Sequence, residues 1–257
     1  MACGVTEAAP AQRTVAPVAP AVAPTPASAE PASAEPASAE PTSAAAPSVG
    51  PAVGTMPSPI VAVAGGADAA LFARGEARRH AGDLQGMRQA FLELVRDHPT
   101  SPFVPHVFFA FGEVSFAEGR MDDAKRFFEK TAQFPKSDAA AFAHHRIAWC
   151  EIDLGRDDAA LNAFLRAARA AQVLPSEQGK MLLAASIFDS TAVFARVGKL
   201  AKAATFYEHI VKGTEIALEP VLARVADAAV AGGRKDELAR ACKDAGAPRW
   251  CADAGAL

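Results

Sequence analysis

Aromatic side chains are missing from the first 71 residues: all 18 lie from Phe72 onward, whereas twelve of the 19 prolines fall between Pro10 and Pro59. A chain of Ala, Pro, Ser and Glu has too little apolar area to offset the entropy of ordering it. Residues 1–66 are therefore expected to be a disordered tether of polyproline character, with "PASAEPASAEPASAEP" at residues 26–41 as its most regular part. As a flexible coil it would span roughly 40 to 50 Å, and fully extended about 200 Å. Residues 67–247 are enough for one sizeable core, and 248–257 read as a C-terminal tail.

An excess of positive charge is also missing. The leader holds Glu7, Glu30, Glu35 and Glu40 against Arg13, leaving 25 acidic and 25 basic residues in the remainder. A nucleic-acid binder carries a net basic domain or a clustered Lys/Arg stripe, so nucleic acid is not the expected partner. No run approaches the ~18 apolar residues of a membrane-spanning helix.

The motifs of common catalytic and metal sites do not occur. The six histidines contain no His-x-x-x-His pair, and His144 and His145 are adjacent, about 100 degrees apart on a helix. There is no phosphate-binding Gly-x-x-x-x-Gly-Lys loop, and "AGGADAA" lacks its lysine. No Gly-x-Ser-x-Gly elbow is present. The pairs Asp122, Asp123 and Asp157, Asp158 stand where second helices of a repeat begin, and there a carboxylate stabilises free amides. With no convergent polar constellation, no enzymatic activity, metal, cofactor or small-molecule substrate is expected.

Cysteine is scarce, with four residues. "MACG" has the form of the end of a bacterial lipoprotein signal, Ala2 preceding a lipidated Cys3; the alternative is an incidental cysteine. Cys242 and Cys251 flank "KDAGAPRW", whose Gly246 and Pro248 can turn the chain back, so they either close a small disulfide loop or remain separate thiols. Cys150 in "RIAWCEI" reads as a small buried apolar residue.

What the sequence does have is a repeat. Segments beginning at Leu71, Phe108, His145 and Phe188 each show a helical run, a glycine, a few turn residues and a second helical run. The glycines are Gly82, Gly119, Gly155 and Gly198, 37, 36 and 43 residues apart, each expected to adopt the left-handed conformation past a helix end. Five and nine residues after the last three come Ala124 and Phe128, Ala160 and Phe164, Ala203 and Tyr207; the first repeat has Met87 and Phe91. The small residue lets two antiparallel helices approach, and the aromatic one turn on fills the gap to the next pair. A fifth, degenerate pair from Glu219, whose second helix "RKDELARACKD" is polar, is expected to cap the stack.

From about Asp68 to Gly213 these residues resemble the tetratricopeptide repeat. In that family's pattern the small first-helix residue matches Gly75, Gly112 and Ala148, and the closing proline matches Pro99 and Pro135, while Thr191 stands where the fourth repeat should be smallest. The resemblance implies an all-α, right-handed superhelical solenoid of four to five antiparallel helix pairs. The inter-repeat turns "HPTSPFVPHV" and "FPKSDAAAFA" and the stretch "IAWCEIDLG" resemble the periplasmic tetratricopeptide proteins of Gram-negative bacteria, of the β-barrel assembly lipoprotein or Tol-Pal-associated coordinator type.

First helices line the concave face in that family, which implies a partner-binding groove of Phe72, Glu76 and Arg79, then Phe109, Glu113 and Phe116, then His145 and Trp149, then Phe188 and Arg196. The alternative for each aromatic is packing between hairpins. The family's Lys/Asn carboxylate clamp is not matched, since Glu76 stands where an amide is wanted. The reading is a non-enzymatic protein-binding adaptor, lipid-anchored at Cys3 to the periplasmic side of an outer membrane. The alternatives are a cytoplasmic scaffold, or a regulatory or targeting module of an envelope enzyme complex.

Overall fold

The computed structural model describes residues 65–246 and 248–253. The leader up to residue 64, including Cys3, lies outside the described residues. The fold is all helical: α1 (Ala67–His80), α2 (Leu84–Asp97), α3 (Val104–Ala117), α4 (Met121–Ala132), α5 (Ala139–Asp153), α6 (Asp157–Gln172), α7 (Glu177–Val197), α8 (Ala203–Val211), α9 (Leu218–Ala231), α10 (Lys235–Asp244) and α11 (Arg249–Asp253). A 3₁₀ turn, Leu200–Lys202, precedes α8.

Local chemistry sets where these helices start and stop. The Asp83 carboxylate accepts the Gly86 N–H at 2.8 Å and the Ser176 hydroxyl accepts that of Gly179 at 3.1 Å, capping α2 and α7. Asp122, Asp123, Asp157 and Asp158 lie in the first turns of α4 and α6. Gly82, Gly119 and Gly155 take φ of +74°, +72° and +70°, conformations that cost any other residue strain. The next residue's N–H then reaches back over the helix end: Asp83 to Arg78 O, Arg120 to Ser115 O and Arg156 to Glu151 O, at 2.7 to 2.9 Å.

Gly198 departs from the expected pattern. Its φ of −76° and ψ of 160° are extended, because the chain leaves α7 directly into the 3₁₀ turn. A fourth turn of the same kind, with the Arg234 N–H on Ala229 O at 2.8 Å, is at Gly233 instead, φ +76°, between α9 and α10.

Helix α1 pairs with α2, α3 with α4 and α5 with α6, and α4 and α6 also pack on the next first helix, as in a tetratricopeptide-like solenoid. In the first three pairs the close approach falls on the expected residues, and the matching positions of the fourth unit are buried as well. Met87, Ala124, Ala160 and Ala203 are buried, as are Phe91, Phe128, Phe164 and Tyr207. A β-carbon on Gly75 would lie 2.2 Å from the Phe91 ring, and one on Gly112 would lie 2.5 Å from the Phe128 ring. Each aromatic thus lies in the space a first-helix side chain would need.

The fourth unit is built differently. Thr191 is buried where the smallest residue is wanted, and α7 makes its close approach to α9 rather than α8. Helix α8 meets α7 through large side chains: Phe194 against Phe206 and Tyr207, with ring centroids 4.7 and 5.4 Å apart, and the Ser190 hydroxyl 3.0 Å from the Tyr207 hydroxyl. Arg234, at the start of α10, donates to the carbonyls of Ala195 (2.6 Å), Arg196 (3.1 Å) and Gly198 (3.0 Å), fastening the last pair to the end of α7.

The fold continues past residue 247, the expected end of the repeat domain. Helix α11 packs on α9 and α10 with Trp250 buried, and a disulfide joins Cys251 to Cys242.

Candidate functional site

Groove residues expected from the repeat divide into two sets. Phe72, Phe109 and His145 each stand ten residues before their turn glycine, and all three are buried, 4%, 7% and 1% exposed. Phe72 stacks on Phe91 and Phe103 at 5.7 and 4.9 Å and meets His106 edge-on. Phe109 packs on Phe128 at 5.3 Å, and His145 on Phe164 at 5.2 Å. This is a correction: the position lies one helical turn from Gly75, Gly112 or Ala148, so it faces the aromatic of the second helix and belongs to the core.

Glu76, Arg79, Glu113, Phe116 and Trp149 remain half-buried on α1, α3 and α5. Arg79 grips Glu76 with both edges of its guanidinium, Nε to Oε1 at 3.1 Å and Nη2 to Oε2 at 2.7 Å. That hydrogen bonding raises the Arg79 pKa above its ordinary value, with Glu113 adding to the effect. From α5, Arg146 Nη2 donates to Glu113 Oε2 on α3 at 2.9 Å, while Nε lies 2.7 Å from Oε1, off the line a hydrogen bond needs. The same guanidinium sits 5.3 Å from the centre of the Phe116 ring. Trp149 meets Phe164 edge-to-face at 5.8 Å, and its Nε1 finds no acceptor among the described residues. Glu76, Arg79, Glu113, Phe116, Arg146 and Trp149 therefore form one polar and aromatic row across three successive first helices.

The fourth unit's expected residues lie apart from this row. Phe188 faces Arg224 of α9, 5.4 Å from guanidinium carbon to ring centre. Arg196 is bound to Asp157 by two hydrogen bonds of 2.7 and 2.6 Å, tying the end of α7 to the start of α6.

Two residues of this region were not foreseen. Arg146 stands where the first two repeats carry Ala73 and Ala110, so its repeat position gave no signal; its opposite charge to Glu113, 33 residues earlier, was the available clue. Asp189 of α7 accepts His145 Nε2 at 3.0 Å, a contact between helices that no local period reveals.

Beneath the row, burial pushes the His145 pKa down, and Asp189 and Glu113 offset part of that. Cys150 is buried and its thiol is pushed up to about 12, and the Ser190 hydroxyl is engaged by Ile187 O and Tyr207. Among the described residues no three His, Cys, Asp or Glu side chains converge as a metal site would require. A separate cleft of about 480 Å³ between α1 and α2 is lined by Arg74, Arg78, Asp83, Gln85, Gln89 and Glu93, whose charges are paired.

A tetratricopeptide repeat family model matches residues 69–101, which span the α1/α2 hairpin and the turn after it. Repeats of this family generally mediate protein–protein interaction. No curated protein matches the chain.

Proposed function

We propose that this protein is a non-enzymatic adaptor of the cell envelope that receives a partner protein along the first helices α1, α3 and α5. The observation that carries this reading is the preorganised row on those helices. Arg146 is fixed against Glu113 and over Phe116, so docking on it costs little side-chain entropy. Arginine and aromatic side chains are also the residues that most often dominate binding energy. The envelope location is supported by the Cys242–Cys251 bridge, which an oxidising compartment preserves. In this reading Cys3 carries the lipid and the leader spans the distance from membrane to repeats.

The test is recovery of cross-linked partner from the native cells by wild type, Arg146→Ala and Trp149→Ala, with circular dichroism as the control for folding. Both variants are expected to keep their helix content and to lose at least tenfold in recovered partner. Folded variants that recover the same partner at wild-type yield would place the binding surface off this row.

A further inference from the structure

The second helices of the first three hairpins, and α8, carry a buried aromatic nine residues after the glycine aligned with them: Phe91, Phe128, Phe164 and Tyr207. In α10 the same place, nine residues after Gly233, is taken by Cys242. A cysteine fills far less space than a phenylalanine, yet Cys242 has no exposed surface. The missing volume is supplied from outside the hairpin, by Cys251 and Trp250 of α11, both buried in the same apolar cluster as Val221, Leu222 and Val225 of α9.

Helix α11 has five residues, too few to hold a helical turn without an anchor. It reaches its place across Gly246, whose φ of +79° turns the chain back at the end of α10. The anchor is the bridge from Cys251 to Cys242. We propose that this bridge makes closure of the C-terminal end of the stack dependent on redox state: oxidised, it seats Trp250 as a substitute for the absent aromatic; reduced, it releases α11 and bares the apolar side of α9.

The chemistry is a two-electron exchange with a dithiol. The S–S bond breaks, each cysteine takes a proton and leaves as a thiol, and the dithiol becomes a disulfide. The inference stands independently of the binding row, which lies on α1, α3 and α5.

The experiment is peptide-resolved hydrogen exchange on the full chain, oxidised, reduced by dithiothreitol, and reoxidised. Cys242→Ala/Cys251→Ala is measured beside them, so that a bridge slow to reduce does not obscure the result. On reduction, and in the double variant, amide exchange is expected to quicken at least tenfold in α9–α11 while α1–α6 keep their protection, and reoxidation of the wild type restores the slow rates. Equal protection of α9–α11 with and without the bridge would overturn the proposal. So would loss of protection spread evenly over every helix, because the bridge would then be a general staple rather than a closure of one end.

Discussion

At the scale of single residues, two buried histidines and the half-buried His144 set how the fold responds to acid. His106 and His145 are held below the ordinary imidazole range by burial, and His144 by burial and then by Arg166. Asp138 pulls the first back upward, as do Asp189 and Glu113 the second, without reversing the direction. Each ring is thus neutral in the fold and protonates more readily when the chain unfolds. Stability is therefore fully present above about pH 6.5, the unfolded value, and is lost as pH falls below it towards the folded values. Between the two pKa values each histidine contributes a slope of about 1.4 kcal/mol per pH unit. Urea midpoints should stay level from pH 8 to 7 and then drop, and His145→Gln, which keeps a donor for Asp189, should flatten part of the drop. A midpoint unchanged down to pH 5 would show that the three rings do not stay neutral. None of this was visible in "FAHHRIAW", because the groups that face these rings come from other helices: Phe164, Arg166 and Asp189 stand 19, 22 and 44 residues further along the chain.

At the scale of elements, the hairpins from α1 to α6 were legible because what makes them is local: a left-handed glycine, a buried residue five on (Met87, Ala124 and Ala160), an aromatic nine on. The step from α7 to α9 was not. Gly198 looked like its predecessors, but Thr191 fills the space the close approach needs, and that conflict is settled only by what else α7 can pack against. The same distinction separates Phe116, half-buried on the row, from Phe109, one of the core residues, seven positions earlier on the same helix. The arginine that follows Gly119, Gly155 and Gly233 gives a test. Arg120 bonds only near its own turn, to Asp123 at 2.8 Å and to Glu118, and is exposed; Arg234 bonds Glu237 in its own turn and also crosses to three carbonyls at the end of α7. Arg120→Ala should leave the denaturation midpoint close to that of wild type, as loss of an exposed pair does. Arg234→Ala leaves carbonyls without a charged donor and should cost about 1.5 to 3 kcal/mol in chemical denaturation. Equal losses would mean that the α7–α10 fastening contributes nothing of its own.

At the scale of the whole described stack, apolar contact runs as three successive clusters, over α1–α3, α3–α7 and α6–α11, each sharing an element with the next. Stability in such an array is approximately a sum of units and nearest-neighbour contacts. Ala160, in the middle cluster and without exposed surface, is where that is best tested. Ala160→Leu overpacks the α5/α6 contact by an expected 1 to 3 kcal/mol, and the loss should spread to amides of α4 and α7 before it reaches α1 or α10. A melting temperature equal to wild type would remove Ala160 from the helix contact. The bridge at the far end has a mechanical consequence as well. Cys242 and Cys251 are nine residues apart in sequence with α-carbons 6.0 Å apart. A chain pulled straight gains about 3.3 to 3.6 Å per residue, so the bridge hides roughly 25 Å of contour from any force applied beyond it. Load entering at residue 253 bypasses the turn at Gly246 and passes into the last turn of α10 at Cys242, so under tension the pull acts on the helix itself and not on the turn beyond it.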